Sequence, residues 1–444
     1  MGVRIPRIDN GPHRTADQRM ADATIATVTA REILDCRLEP TVRVTVETTA
    51  GTAGTADVPA GRSTGRHEAL ERRDGGFRYD GLGVREAVAA VEDDLAAALT
   101  GVDVRDQSAV DAAITAADGT DRFEYLGANA TTGTSLAAAK AGARASGRPL
   151  HAHVADVADT TGTRLPVPFL DMIEGGELAA TDLDFQEHQL VPIGADSIAE
   201  AVRMGAEVYY ELGDRLERDW GPASRNVGVE GGYTPPGMAD PRDAFDALLG
   251  AAEERGYGDA FVLAIDAAAT HFHDPETDTY AVMDESLTPG ELVDRYTELA
   301  DAYPLASIED PLAEDDFETT AALTEAYDGQ VVGDDLFVTQ ADRVERGIAT
   351  GAASALLLKV NQVGTLTGAL EAASTASHGE YAVQVSERSG QTPDTWLADL
   401  AVGVDAGQIK TGVSRGERTE QYNRLLEIED ALGDDGAFGD PTLG

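Results

Sequence analysis

The second half of the chain alternates short apolar runs with helical segments. After Pro166, each run rich in β-branched residues is followed by a stretch whose apolar residues recur at three- and four-residue spacing. This alternation is typical of βα units that build a mostly parallel sheet. The predicted strands are VPFLDMI, DFQEHQLVPI, AFVLAIDA, LASIEDP, QVVGDD, ALLLKVNQ, YAVQVSER and GQIKTG.

The first part of the chain has a different pattern. From Thr41 to Gly61, β-branched residues alternate with polar ones around two glycines, which indicates a β-hairpin. The segment GVREAVAAVEDDLAAAL and an Ala-rich run at 129–145 have helical periodicity. We therefore expect a small α+β domain over residues 23–155 and, after a Thr-rich linker, a second domain over residues 164–434. Residues 1–22 are expected to form a mobile N-terminal extension, and residues 435–444 a flexible C-terminal tail.

Charged residues follow six of the predicted strands at regular intervals. Successive members are separated by 43, 25, 25, 29 and 22 residues, and the longest gap contains an insertion, HDPETDTYAVMDES. The regular spacing equals one strand plus one returning helix, so all six fall at strand C-termini. In a closed βα barrel these ends converge on one mouth, whereas the alternative, an open doubly wound sheet, spreads them along an edge. The six residues are Asp266, Glu309, Asp334, Lys359, Arg388 and Lys410.

Composition narrows the possible partners and the compartment. The 444 residues are 42% hydrophobic, enough to bury a core, but 80 acidic residues face 34 basic ones and give a formal net charge of -46. Such a field repels nucleic acid and anionic membranes. One cysteine, Cys36, cannot form an internal disulfide, and neither a transmembrane run nor a signal peptide is visible. We expect a cytoplasmic protein.

Lysine is rare in the chain. It occurs at three positions, Lys140, Lys359 and Lys410, against 31 arginines. This composition resembles the salt-adapted surfaces of haloarchaeal proteins, and an acidic protein of a mesophile is the alternative. Lys359 and Lys410 lie within predicted strands, where a desolvated lysine can lose its proton and act as a base, as arginine cannot. Their alternative role is to neutralise buried carboxylates, and Lys140, on an Ala-rich helix, is expected to be structural.

Three carboxylates, Asp266, Glu309 and Asp334, would lie on successive strands around one rim. A single acid in so acidic a chain is usually a solvated surface group. Here each follows an apolar strand, where a solvent-facing charge is not expected. Three adjacent anions repel one another, so a hard divalent cation is their natural partner, and oxygen-only ligands indicate Mg²⁺ rather than zinc. A metal flanked by amines suits proton abstraction beside a carboxylate, followed by elimination.

At this point the motifs resemble the enolase (phosphopyruvate hydratase) family from about residue 30 to residue 433. The resemblance implies a small N-terminal α+β domain followed by an enolase-type (β/α)8 barrel, and Mg²⁺-dependent dehydration of 2-phosphoglycerate. The matching segments are REILDCRLEPTV, GRSTG, GTDRFEYLGANA, QEHQLVPIGA, NVGVEGGYTP, SIEDPLAEDDF, VGDDLFVT, LLLKVNQVGTLT, SERSGQTPDT, ADLAVG, GQIKTG and YNRLLEIE.

The resemblance also implies a role for each site residue. Asp266, Glu309 and Asp334 match the metal ligands, and Ser63 in GRSTG matches a serine that binds a second Mg²⁺. Lys359 matches the base that removes the C2 proton. Glu230 matches the acid that assists departure of the 3-hydroxyl, with Glu187 beside it. The substrate-binding positions are Gln186, Arg388, Ser389 and Lys410. The implied partners are a small phosphorylated carboxylate and further copies of the chain in a dimer or larger assembly.

The chain departs from the family pattern near the loops and the leaving-group side. Leu178 stands where a mobile-loop histidine is expected and cannot transfer protons. Glu387 replaces a histidine beside the phosphate position and should weaken phosphate binding unless its carboxylate points elsewhere. Val229 replaces an aspartate before Glu230. The other departures are Asp171, Glu174, Leu38, Glu39 and the added Arg62.

These departures keep two alternatives to enolase activity open. One is a divergent dehydratase or isomerase whose carboxylate substrate lacks phosphate, which Leu178 and Glu387 favour. The other is a non-catalytic binding or regulatory protein that keeps the barrel and the metal. Retention of Lys359 and Lys410 speaks against the second, because a scaffold has no need of both. The overall pattern indicates a divergent paralogue.

Overall fold

The computed structural model describes residues 23–61 and 64–440. Its first domain is built on a three-stranded antiparallel sheet of β1 (Ile25–Leu34), β2 (Pro40–Thr48) and β3 (Ala53–Asp57). The β2–β3 pair is the predicted hairpin, with Val46 opposite Gly54. Helical segments then follow at Arg85–Ala90, Val91–Leu95, Ala96–Leu99, Gln107–Asp118, Ala128–Ala145 and Leu150–Ala158.

The Ala-rich helix Ala128–Ala145 is the core element of this domain. Nearly all of its residues are buried, on every face, because its small side chains let the sheet and the barrel approach closely. The following helix runs to Ala158 and ends at Asp159 in a left-handed conformation, so the linker starts later than the Thr-rich pattern indicates.

The second domain is the closed eight-stranded barrel that the strand-end spacing predicts. Its strands, with a short leading strand β4 (Arg164–Leu165), are β5 (Val167–Glu174), β6 (Glu187–Val191), β7 (Val262–Asp266), β11 (Leu305–Glu309), β12 (Gln330–Gly333), β13 (Ala355–Leu358), β14 (Ala382–Ser386) and β15 (Gln408–Lys410). The insertion after β7 forms its own antiparallel sheet of β8 (His273–Asp274), β9 (Thr279–Val282) and β10 (Glu285–Leu287).

Helices cover the outside of this barrel. Their bounds are Ile198–Trp220, Pro241–Glu254, Pro289–Ala302, Phe317–Ala326, Ala341–Thr350, Val360–Val363, Leu366–His378, Trp396–Gly403 and Gly416–Leu432. Among the residues that the structure describes, none of the helices combines the length and apolarity needed to cross a membrane.

One barrel strand runs against the others. Strand β6 pairs antiparallel with both β5 and β7, whereas the remaining pairs are parallel. The β5–β6 connection carries a three-residue 3-10 turn, Gly176–Leu178, and no crossover helix, so β6 returns in the opposite direction. This reversal brings Glu187, the first residue of β6, to the same barrel end as Asp266, its partner on β7.

The inside of the barrel changes from apolar to polar toward the end at which the parallel strands terminate. Val167 and Phe169 of β5 pack with Val191 and Ala264 in an apolar cluster separate from the main core. Side chains two apart share a strand face, so Asp171 follows Phe169 toward the mouth.

The end of the described chain packs against the barrel. A short strand, β16 (Ala437–Phe438), pairs parallel with β4, and Asp440 Oδ2 accepts a hydrogen bond from Gln408 Nε2 at 2.7 Å. Residues 435–440 of the expected flexible tail are therefore held in place by backbone pairing. The rest of that tail, the expected mobile extension at 1–22, and Arg62 and Ser63 lie outside the described residues.

Candidate active site

The six charged residues predicted at strand ends meet at one end of the barrel. Asp266, Glu309 and Lys410 are the last residues of β7, β11 and β15, and Asp334 and Lys359 directly follow β12 and β13. Arg388 lies two residues beyond β14. All six are largely shielded from solvent, and the side chains of Lys359 and Asp334 are only 11% and 12% exposed. The spacing argument therefore gave the right end of the barrel for every one of them.

Lys410 is the cationic centre of this cluster. Its Nζ lies 3.1 Å from Asp266 Oδ2, 2.7 Å from Glu309 Oε2 and 3.0 Å from Glu187 Oε1. Burial lowers the pKa of Lys410, but these carboxylates raise it far more, and the net result lies well above the ordinary value. Lys410 is thus a fixed positive charge.

Lys359 occupies the opposite side of the same group. Its Nζ donates to Asp334 Oδ2, and Gln362 Nε2 donates to Asp334 Oδ1 at 2.7 Å. Burial lowers the pKa of Lys359, as the sequence argument expects, but the surrounding carboxylates, Asp334 first, together outweigh this effect and the net direction is up. Asp334 therefore opposes the expected loss of the Lys359 proton near neutral pH. The sequence argument did not foresee this pair.

The three predicted metal ligands pair with the two barrel lysines, and as a set they do not bring one oxygen each within 4.8 Å of one another, as the acid groups of the described residues that could hold an ion do. Glu309 Oε1 is buried without a hydrogen-bond partner among the described residues, so this oxygen is able to accept a further contact. Burial, and then the nearby Asp266 charge, raise the pKa of Glu309 well above its usual value. A carboxylate-only donor set with an unpartnered oxygen suits a hard divalent ion.

Two further acids were missed by sequence reasoning although they follow the named ligands directly. Asp310, Asp334 and Asp335 bring one carboxylate oxygen each within 4.8 Å of the others, a group that could hold a metal ion. Asp310 also accepts backbone N–H bonds from Asp334 at 2.9 Å and Asp335 at 2.7 Å. The doubled acids in SIEDP and VGDD are the signal that could have identified them.

A cleft joins these groups to the predicted substrate-binding residues. Gln186 Nε2 donates to Asp266 Oδ2 at 3.2 Å, and the nonpolar Leu178 forms part of the wall. Ser63 lies outside the described residues, but Gly61, two residues earlier, lines the cleft beside Arg388. The residues that line the cleft include Gly61, Leu178, Gln186, Glu187, Glu230, Asp266, Asp334, Lys359, Glu387, Arg388, Ser389 and Lys410.

The two residues predicted to bind phosphate, Arg388 and Ser389, are held by the N-terminal domain. Arg388 Nη1 and Nη2 donate to the two carboxylate oxygens of Glu68 at 2.9 and 3.1 Å. Arg37 Nη1 donates to Ser389 Oγ at 3.1 Å. Sequence reasoning missed Glu68 and Arg37, which lie more than 300 residues away along the chain.

The structure provides a countercharge for Glu387. Its Oε2 accepts from Arg418 Nη1, and both side chains are buried. Burial raises the pKa of Glu387 well above its usual value, although Arg418 opposes that shift. The same guanidinium donates to the carbonyl oxygens of Arg388 at 3.0 Å and Ser389 at 2.9 Å. Arg418, on the last long helix, was missed by sequence reasoning, and it orders the loop as well as pairing the acid.

The third lysine lies outside this group, as expected. Lys140 Nζ pairs with Asp394 and joins the Ala-rich helix to the second domain. Its role is structural.

Comparison with known proteins matches both domains. The family described as "Enolase, N-terminal domain" matches residues 25–154, and "Enolase, C-terminal TIM barrel domain" matches residues 162–442. A protein named Enolase from Methanopyrus kandleri is 51% identical over 420 residues, 94% of this chain and 97% of that protein. Those from Pyrococcus furiosus (48% over 413 residues, 92% and 95%) and Methanothrix thermoacetophila (47% over 416 residues, 93% and 97%) are similar. With two matching domains and near-complete coverage, this chain belongs to the enolase family.

Proposed function

We propose that this protein is a phosphopyruvate hydratase that reversibly dehydrates 2-phosphoglycerate to phosphoenolpyruvate with Mg²⁺, in glycolysis and gluconeogenesis. The observation that carries the proposal is the pairing of both barrel lysines with the predicted metal ligands, Lys359 with Asp334 and Lys410 with Asp266 and Glu309. The family match and the relatives named Enolase support the same activity.

Asp266, Glu309 and Asp334 would hold the Mg²⁺ ion. When bound, this ion would neutralise the substrate carboxylate and so acidify the neighbouring C–H bond. A bound cation would also attract the Asp334 carboxylate. This would weaken the stabilisation that Asp334 gives to protonated Lys359. Lys359 can then act as the base at C2.

The other residues bind and orient the substrate. Lys410, a buried permanent cation, faces the substrate carboxylate. Gln186 lies beside Lys410, because both side chains contact Asp266 Oδ2. Arg388 and Ser389 bind the phosphate, and Arg37, which is itself paired with Asp35 and Glu39, positions Ser389 by donating to its Oγ. Because the protein as a whole repels anions, these local cations are what allow a phosphorylated carboxylate to bind.

Glu230 and Glu187 act at the leaving group. Burial raises the pKa of Glu187 to about 7 even though Lys410 lowers it, so this carboxyl can carry a proton at neutral pH. Glu187 can therefore keep Glu230 supplied with the proton that leaves with the 3-hydroxyl as water.

Lysine variants test the proposal. Purified protein in molar KCl with Mg²⁺ should form phosphoenolpyruvate, seen by ultraviolet absorbance. Lys359→Arg keeps a positive charge but cannot give up its proton, so we expect kcat to fall by about 10²–10⁴-fold. Lys140→Arg is the matched control and should retain activity, because it keeps the pair with Asp394. Equal activity of wild type and Lys359→Arg would refute the proposed base.

A second candidate function is a dehydratase or isomerase for an acid without phosphate. The fork between Arg388 and Glu68 favours it, since a guanidinium already paired by a carboxylate binds an added phosphate less readily. Turnover of an acid sugar by wild type, lost in Lys359→Arg, together with no phosphoenolpyruvate, would select this alternative.

A further inference from the structure

Glu387 lies beside Glu230, the residue proposed to act on the leaving group. Glu387 directly follows β14, and Glu230 lies in the loop after Arg225. Their carboxyl groups are within hydrogen-bonding distance of each other, and both side chains line the cleft. Their relative exposures of 3% and 5% leave little water to separate two charges. The acid at position 387 therefore forms a carboxyl pair with Glu230, called the Glu230–Glu387 pair below.

Each member of the Glu230–Glu387 pair has an oxygen without a donor. Glu387 Oε1 and Glu230 Oε2 are buried and have no hydrogen-bond partner among the described residues. Glu387 Oε2 differs, because it accepts from Arg418 Nη1 and, at 3.3 Å, from Thr411 Oγ1. Two neighbouring carboxylates repel each other, whereas a carboxylic acid can donate its proton to the carboxylate beside it. A single shared proton thus supplies a hydrogen bond that the pair otherwise lacks.

The backbone around Gly412 packs closely against both acids. Val413 N donates to the carbonyl oxygen of Glu230 at 3.2 Å. Gly412 has a φ of +61°, and a Cβ atom there would lie 2.3 Å from that carbonyl oxygen and 3.0 Å from Glu387 Oε1. A residue with a side chain at this position would crowd both acids. The close packing of the Glu230–Glu387 pair therefore depends on this glycine.

One shared proton also balances the charge of the pair. The pair then carries a single negative charge, opposite the guanidinium of Arg418, which is buried with it. Arg418 Nη2 also donates to the carbonyl oxygen of Val229 at 3.4 Å, so the same side chain contacts the loops of both acids. Burial raises the pKa of Glu387 well above its usual value, Arg418 opposes the shift, and Glu230 adds to it. This direction agrees with a proton that is retained at neutral pH.

The ionisable groups that surround the pair are mainly acids. They lie on β5, β6 and β15 and on the helix that carries Arg418. Those of the described residues are Asp171, Glu174, Glu187, Lys410, Glu417 and Tyr422. The charge of Lys410 is already engaged by Glu187, Asp266 and Glu309. It therefore does little to stabilise a second negative charge on the pair.

We propose that Glu387 shares one proton with Glu230 and thereby keeps on Glu230 the proton that the departing hydroxyl needs. Glu387 acts through Glu230, so it is a positioning residue. The inference rests on the proposed function and deepens its leaving-group step.

The protons and electrons of this step balance. Lys359 takes the C2 proton, and the electrons of the C2–H bond form the C2–C3 double bond. The C3–O bond breaks with its electrons on oxygen, which leaves as water with the proton that the Glu230–Glu387 pair held. The pair regains a proton from solvent by way of Glu187, and Lys359 returns its proton to solvent.

The pH dependence of kcat in Glu387→Gln tests the proposal. Glutamine keeps the shape of the side chain and an acceptor for Arg418, but its amide N–H groups donate to Glu230 and stabilise the ionised form. Dehydration needs a protonated Glu230, so the alkaline limb of the kcat profile should move to lower pH by about one unit, and kcat on that limb should fall about tenfold. KM should stay within about threefold of wild type, because substrate contacts are unchanged.

Glu32→Gln is the matched control for this variant. Glu32 also pairs with an arginine, Arg78, through both carboxylate oxygens, but it lies in the N-terminal domain. This variant should keep the kcat and the pH profile of wild type. An alkaline limb in Glu387→Gln that stays in place or moves to higher pH would overturn the shared proton.

Neutron diffraction from wild-type crystals in D₂O near neutral pH locates the proton without turnover and without a variant. Nuclear density for deuterium between the carboxyl groups of Glu230 and Glu387 supports the proposal. Two bare carboxylates, or a potassium ion between them, would overturn it. The absence of phosphoenolpyruvate in the wild-type assay would instead count against the proposed function, so the two failures are distinguishable.

Discussion

Glu387 illustrates how a charge that is unexpected in the sequence is balanced in the structure. The sequence places an acid beside the phosphate position, and the structure pairs it with Arg418, whose side chain has no exposure to solvent. Taking one charge of a buried pair away leaves the other uncompensated, which is far more costly than losing an exposed pair. The pair is therefore expected to matter for stability as well as for the phosphate loop.

Arg418→Met should lower the free energy of unfolding by about 3–5 kcal/mol, because Glu387 and two loop carbonyls lose their donor. Urea unfolding in molar KCl measures the change. Arg203→Met is the matched control, since Arg203 is half exposed and pairs with Glu200 and Glu207 on its own helix. We expect about 1 kcal/mol or less there. Similar losses in both variants would contradict the assignment of Arg418 as a buried partner.

The position of the candidate site residues at strand ends could be predicted because the signal was local, whereas their roles remain predictions. Each residue of the predicted triad, and both barrel lysines, follow an apolar strand, and their equal phase along the chain needs no three-dimensional information. Glu68, Arg37 and Arg418 could not be found this way. Their partners are up to 352 residues distant, and no pattern in one sequence links such positions.

Among the elements, the packing of the Ala-rich helix on the first sheet depends on one close approach. A Cβ atom at Gly54 of β3 would lie 2.1 Å from the carbonyl oxygen of Ala137 and 2.4 Å from the backbone nitrogen of Ala141. Both are backbone atoms of a buried helix and cannot move aside separately. The glycine thus sets the distance between strand and helix.

Gly54→Ala should destabilise the protein by about 1–3 kcal/mol, because the added methyl group forces the helix away from the sheet. Thermal unfolding followed by circular dichroism measures the loss. Gly290→Ala is the control, since nothing lies within 4 Å of its added Cβ and its backbone is not left-handed. The control should stay within about 0.5 kcal/mol of wild type. A neutral Gly54→Ala would show that the contact is looser than described.

Strand existence was easier to predict than strand direction. All eight barrel strands coincide with the apolar runs in the sequence, and the insertion after β7 was recognised from the 43-residue gap between successive strand-end charges. The reversal of β6 was not predicted, because an apolar run reads the same in either direction. The physical cause of the reversal is the β5–β6 connection, which contains no long helix that could carry the chain back to the other end of the barrel.

For the molecule as a whole, the net charge of -46 makes the stability of the folded state depend on the salt concentration. Like charges spread over one surface repel and favour expansion, and added ions screen them over a Debye length that falls from about 10 Å at 0.1 M to about 3 Å at 1 M. The numerous arginine–carboxylate pairs on the surface offset part of this repulsion, but exposed pairs contribute little each.

Raising KCl from about 0.1 M to 1 M should raise Tm by roughly 5–10 °C, because the repulsion is screened. Calorimetry at several salt concentrations measures the shift. Sucrose at equal osmolality is the control, since it stabilises by exclusion without screening charge. A Tm that falls or stays level with KCl would count against a surface adapted to salt. The cytoplasmic location and the homo-oligomeric assembly remain predictions, and light scattering would test the second.

The two hydrogen bonds between Glu68 and Arg388 join the two domains at the predicted phosphate-binding residues. A barrel produced without its N-terminal partner would deprive Arg388 of its carboxylate, and an N-terminal domain produced alone would lack the guanidinium that pairs with Glu68. Recombination that exchanged one domain for that of a distant relative would thus have to carry both halves of this contact. Inheritance as a single reading frame protects the pair, which makes the junction between domains a poor place to cut the gene.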